Sequence, residues 1–244
     1  MNQIHKFDPF MLKFVFTSFL LLTFASSYEL HYNPSKDKLL IEIVSYVLNK
    51  GHYSPSEIND QFSEEVYKNF LNGVDSRHLF FIQSDIDFFD SFRFEIDNQI
   101  KTSKIEFFNL SHQRYLQRLD QVKSFYPSLL NQSFDFSKDE KINLDFENIA
   151  YSKSLSELKK QWRKFLKFNA LGIYSNLKEE ENQKKVKNSE YKFKTDKEIE
   201  VETRKILKED MKYFFEARYD LNRNDYFSIY VNSIALQLEF VQWK

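Results

Sequence analysis

Apolar residues return every three or four positions along most of this chain, and the return is broken at a few polar or helix-capping clusters. Leu39 to Leu48 (LLIEIVSYVL) is dense enough for a helix buried on most sides, closed by Asn49-Lys50-Gly51. Ser54-Pro55-Ser56-Glu57 carries a serine cap, a first-turn proline and a glutamate at the third position, a helix start; Ser63-Glu64-Glu65 offers another. Val66, Phe70 and Leu71 mark a stripe that Asn72-Gly73 is expected to stop, and Ser84, followed by Asp85 and Asp87, is expected to cap the next helix. Between them Leu79-Phe80-Phe81-Ile82 is too apolar for a loose loop, so the stretch reads as helix, buried corner, helix.

Beyond the corner, Phe88, Phe89, Phe92, Ile96 and Ile100 keep helical spacing and predict one run up to Lys101-Thr102-Ser103. The most regular stripe is Ile105, Phe108, His112, Tyr115, Leu119, Val122, Phe125 and Leu129, a helix over 104–130 that should be roughly 40 Å long. Residues 131–153 lack clear periodicity and read as an ordered connection laid on the helices. Ser154-Leu155-Ser156-Glu157 is a capping box, and behind it Leu158, Trp162, Phe165, Leu166 and Ile173 draw one face. Residues 178–197 are the least apolar stretch and read as a hinge or solvated insertion. Thr195 to Glu198 then caps a helix with Ile199, Ile206, Met211, Phe214 and Phe215 inward, and Asn222 to Asp225 turns the chain into a last apolar helix over 226–240. The pattern predicts an all-α fold, an irregular bundle of several helices around an aromatic-rich core.

Composition sharpens that picture. Among 244 residues there are 27 phenylalanines and 14 tyrosines but only 3 glycines and 4 prolines, too few turn residues for a β-sandwich. A net charge of −1 gives no field for a phosphate backbone, so nucleic acid is not an expected partner. The absence of cysteine excludes disulfides, thiolate metal sites and a cysteine nucleophile.

Residues 1–27 have the form of a signal peptide: Lys6 and Lys13, the apolar run Phe14 to Phe24, then Ala25-Ser26-Ser27. The alternative is an uncleaved anchor, because the run is near the shortest span of a bilayer. Cleavage would leave an exported, periplasmic chain with no stable membrane insertion, beginning with a short extension at 28–38.

Candidate chemistry is sparse. A glycine-rich phosphate loop and a Gly-x-Ser-x-Gly elbow both need more glycines than the chain holds, and no His-Glu-x-x-His is present. His52, His78 and His112 fall in separate elements and read as structural. Asp85, Asp87 and Asp90 suit a cation or acid–base pair, but acids in a first helical turn are the simpler reading. Lys159, Lys160, Arg163, Lys164 and Lys167 form a basic stripe opposite an apolar one: the wet side of an amphipathic helix, or a face for an acidic partner or lipid headgroups. No cofactor is expected.

The order Asn69-Phe70-Leu71, then Val74-Asp75-Ser76-Arg77-His78-Leu79-Phe80-Phe81-Ile82-Gln83-Ser84-Asp85-Ile86, resembles the N-terminal helical domain of the tail-specific, C-terminal processing periplasmic proteases. That family shows an aromatic-leucine pair, a leucine-aspartate turn, a basic residue, a phenylalanine and a serine-aspartate-isoleucine helix start. Leu71, Asp75, Arg77, Phe80, Phe81, Ser84, Asp85 and Ile86 carry the pattern here, and the resemblance runs over 39–237. It implies a non-catalytic helical domain that supports a protease body, docks an adaptor or positions substrate. The family's PDZ domain and serine–lysine dyad have no counterpart among these residues, and 238–244 diverge from the family. The expectation is therefore a truncated or split-gene fragment, inactive alone, whose partners are the PDZ and protease portion or a periplasmic adaptor. The reading from a different class is a free-standing periplasmic module that captures a peptide or lipid.

Overall fold

The computed structural model describes residues 34–48, 57–146, 149–188 and 190–239. The chain divides into two compact units, 1–37 and 38–244, and of the first only 34–37 are described. Among the described residues the helices are α1 (Pro34–Tyr46), α2 (Asp60–Asp75), α3 (Gln83–Phe89), α4 (Ile96–Lys101), α5 (Glu106–Leu130), α6 (Leu155–Lys187), α7 (Asp196–Tyr219) and α8 (Arg223–Glu239). Those residues hold no strand, only one isolated parallel bridge between Ile82 and Ser152, so the all-α expectation is met. The signal segment 1–27, the helix stop at 49–51, the start at 54, His52 and most of the extension and tail lie outside the described residues.

The 25-residue α5, about 37 Å long, runs through the middle of the second unit. Phe107, Phe108, Leu119 and Val122 on it are fully buried, and it touches α6, α7 and α8. On one side α2 packs along α8 and α4; on the other, α6 packs along α7. Aromatic rings join the halves. Phe70 meets Phe107, Phe108 and Tyr230 edge-on at 5.3–6.0 Å, and Trp162 lies among Phe80, Phe165 and Phe215 at 5.4–6.0 Å.

Two caps stand where the sequence places them. Ser154 Oγ accepts from Glu157 N at 3.2 Å, and Thr195 Oγ1 accepts from Glu198 N while Glu198 reaches back to Thr195 N at 2.7 Å. Other expectations fail for tertiary reasons. Helix α2 begins at Asp60, where Asn59 Oδ1 accepts from Phe62 N at 3.1 Å; Ser63 is instead buried inside it. Gly73 does not stop α2 but lies within it, in ordinary helical conformation. The residue is small because α8 passes close: a Cβ there would sit 2.7 Å from Ile229 Cγ2.

The stripe from Phe88 to Ile100 is not one helix. A 3-10 turn, Asp90–Phe92, ends α3, and α4 restarts because Ser63 Oγ accepts from Asp97 N at 2.8 Å and donates to Asp97 Oδ1 at 3.0 Å. Ile206 is only half-buried, its inward place taken by Leu207. Helix α1 is one-sided rather than buried on most sides: Ile41 is buried, whereas Leu39, Ile43 and Tyr46 are half or more exposed. The stretch expected to be a hinge from 178 continues α6 to Lys187, and its fold-back to α7 is organised by Glu181.

Candidate functional site

The corner that carries the family-like residues is built on two buried carboxylates. Asp75, the last residue of α2, is 3% exposed. Its Oδ1 accepts from Leu79 N at 2.8 Å, and its Oδ2 accepts from Phe80 N at 3.0 Å and Phe81 N at 2.8 Å. Three backbone donors that leave the helix and enter the core are thus satisfied by one side chain. Burial pushes the Asp75 carboxyl up to about 7, against the pull of those three N–H groups and of Arg218.

The second carboxylate is Asp85, whose side chain is wholly buried. Arg118 grips it with Nε on Oδ2 at 2.7 Å and Nη2 on Oδ1 at 2.9 Å, and Arg114 Nη1 adds a bond to Oδ1 at 2.9 Å. The same carboxylate accepts from Ile82 N at 3.0 Å, so Asp85, three residues into the turn, caps α3. Ser84 was expected in that role but is exposed. The cap falls to Asp85 because α5 supplies two guanidiniums that fix its position, tying α3 to α5 across 33 residues of sequence.

Apolar packing completes the joint. Phe81 is fully buried and meets Phe89 and Tyr115 edge-on at 5.5 and 6.0 Å. Phe80 is set against Tyr115 at 5.2 Å, while Leu71 is buried and Ile86 half-buried. Leu79 O accepts from Trp162 Nε1 at 2.6 Å, and Ser152 O accepts from Gln83 N at 2.9 Å, so the connection over 131–153 is fastened here as expected. His78 turns the corner at φ 50°, a left-handed conformation uncommon outside glycine. Its ring stacks on Tyr151 at 3.8 Å, with Nδ1 2.7 Å from Ile149 O. Arg77 points outward and lies 5.8 Å over Phe146 and 5.9 Å over Phe165.

The basic stripe faces the connection that precedes it. Arg163 Nη2 donates to Ser133 O at 2.8 Å, Lys164 Nζ to Lys141 O at 3.3 Å, and Lys167 Nζ to Lys138 O at 3.2 Å. Lys159 lies 5.9 Å over Phe125, and Lys160 is exposed. Asp87 and Asp90 are exposed and do not converge on Asp85: Asp87 accepts from Gln83 and Asp90 pairs with Arg93. Among the described residues no group of three His, Asp or Glu side chains is placed to hold a metal, and no helix is long and apolar enough to cross a membrane.

Sequence reading missed three buried polar partners: Arg118, Glu181 and Glu200. Glu181 accepts from Lys184 Nζ at 2.9 Å, Tyr191 OH at 2.8 Å and Lys194 N at 3.1 Å, and Lys184 first among these holds its carboxyl down at about 2. Glu200 accepts from Phe134 N at 2.8 Å and from Arg204. The pairs Glu181–Lys184 and Glu200–Arg204 have ordinary helical spacing, but nothing local marks either acid as buried, and Asp85 and Phe134, which bond to Arg118 and Glu200, lie on other parts of the chain.

These features define an aromatic-cored helical domain in which the residues of the corner are consumed by the fold. The chain belongs to the tail specific protease N-terminal domain family, whose pattern matches residues 44–239. It is similar to a tail-specific protease of Haemophilus influenzae, 23% identical over 193 residues, which is 79% of this chain and 25% of that protein. The chain therefore spans about a quarter of the length of that curated relative.

Proposed function

We propose that this chain serves as the non-catalytic helical domain of an exported tail-specific protease, working in the periplasm to support the protease body and to hold an adaptor or substrate beside it. The observation that carries the proposal is the family match over 44–239, nearly the whole of the described structure. It agrees with the chemistry of the corner, where Asp75 and Asp85 spend their acceptor capacity on backbone and guanidinium donors rather than on an open site. On this reading the chain contributes no nucleophile or base, and its partner is a PDZ and serine–lysine protease portion, whether carried on a longer version of this chain or supplied separately.

A domain exchange tests it. The corresponding region of the Haemophilus influenzae tail-specific protease is replaced by residues 44–239, and cleavage of a peptide substrate is compared with the parent, with a version lacking that region and with this chain alone. The expected result is cleavage by the exchange protein and none by the chain alone. Cleavage by the chain alone, or an exchange protein that folds yet is as inactive as the deletion, overturns the proposal.

A further inference from the structure

A cavity of about 480 Å³ opens between the start of α6 and the connection that runs over it. Its volume lies in the range, roughly 300–1,000 Å³, that small ligands occupy. The floor is apolar, made by Leu79, Phe146, Ile149 and Phe165, with Ile142 on the wall. Among the described lining residues positive charges outnumber negative ones. Lys141, Lys160 and Lys164 line the opening, and Arg77 stacks on both floor rings, Phe146 and Phe165.

Among the described residues none of these four cations is paired with a carboxylate: Lys164 donates to the Lys141 carbonyl, and Arg77 lies over the two rings. The acid among the described lining residues, Glu157, already accepts from Lys153 N at 2.8 Å at the α6 start. Gln161 Oε1 accepts from Ser152 Oγ at 2.7 Å, which leaves its amide N–H groups as donors. The surroundings thus offer positive charge and donors over an apolar floor.

We propose that this cavity binds a single-chain fatty acid anion, its carboxylate among Lys160, Lys164 and the Gln161 amide and its chain along Phe146 and Phe165. Charge complementarity selects the head, because an anion is attracted by the lysines, a neutral head gains nothing from their charge and a cationic head is repelled. The size of the cavity and its apolar floor select one chain rather than a two-chain lipid. This inference is independent of the proposed role in a protease, since the cavity lies wholly within residues 79–165.

Calorimetric titration of the full chain with dodecanoate below its micelle concentration tests it, with dodecan-1-ol and an apolar-ended peptide as comparison probes. The expected result is saturable binding of one dodecanoate per chain, with dodecan-1-ol about tenfold weaker and the Lys160→Ala, Lys164→Ala double variant about fivefold weaker. Ile142→Asp, which sets a carboxylate on the wall of the cavity, should abolish binding. Because Ile142 is only half-buried on the connection, its melting temperature should match the parent. Should Ile142→Asp fail to fold, the lysine double variant alone decides. Equal binding of acid and alcohol, binding unchanged by the substitutions, no binding of dodecanoate, or binding of the peptide alone overturns the proposal.

Discussion

The corner at 75–85 and the junction at 178–197 both gather the chain with a carboxylate shielded from water: Asp75 and Glu181 are each 3% exposed. Each accepts from three donor groups and draws the following chain back onto its helix. What surrounds them differs. Asp75 takes only backbone N–H groups and stands beneath a wall of buried rings, so the corner combines satisfied donors with large apolar burial. Glu181 takes a lysine, a tyrosine hydroxyl and one backbone N–H among exposed lysines and glutamates, so its junction rests on charge with little apolar area behind it. The same device is a keystone where a core backs it and a local clasp where none does.

The comparison can be broken most forcefully at Phe81. Phe81→Ala should lower unfolding stability by about 3 to 5 kcal/mol, through lost burial and a residual cavity, as read by urea denaturation. Asp75→Ala should come next, at about 3 kcal/mol, because it strands three backbone donors in the core rather than one at a helix end. A loss near 1 kcal/mol for Asp75→Ala would mean that water reaches those donors and that the corner is no keystone.

Acidity separates the two carboxylates by sign. Asp75 has its folded value raised, so its contribution is full below pH 3.8 and fades as pH rises through about 7; Asp75→Asn should flatten that slope. Glu181 has its folded value lowered, so its contribution is full above pH 4.5 and fades as pH falls toward about 2, and Glu181→Gln should remove the dependence. Unfolding stability measured from pH 2 to 8 on the parent and both variants checks the pair; slopes of the same sign would contradict it. The smallest effect is expected at Tyr230, whose buried hydroxyl has no hydrogen-bond partner among the described residues. Tyr230→Phe should leave stability unchanged or raise it by up to about 1 kcal/mol in thermal unfolding.

What could be read along the sequence was whatever is fixed within one or two turns. The caps at Ser154 and Thr195 bond residues three positions away, and the burial of Leu79 to Ile82 follows from four apolar residues in a row. What could not be read depends on partners far along the chain. Gly73 looks like a helix stop until α8 brings Ile229 against it, and the Ser63–Asp97 pair that splits the stripe of Phe88 to Ile100 joins residues 34 apart. Glu181 is hidden for a further reason: one acid in a run of charges has no local mark of burial. The candidate residues of the corner were legible as a group, but their roles were not, because Asp85 is assigned to capping by two arginines on α5.

The claim that the corner is the keystone and the junction a clasp is tested most directly by native-state hydrogen exchange at four backbone amides. The N–H groups of Leu79, Phe80 and Phe81, held by Asp75, should exchange only through global unfolding, with a free energy equal to that from urea denaturation. The N–H of Lys194, held by Glu181, should exchange through a local opening of much lower free energy. Corner amides that exchange as fast as Lys194, or through an opening insensitive to urea, would contradict the account.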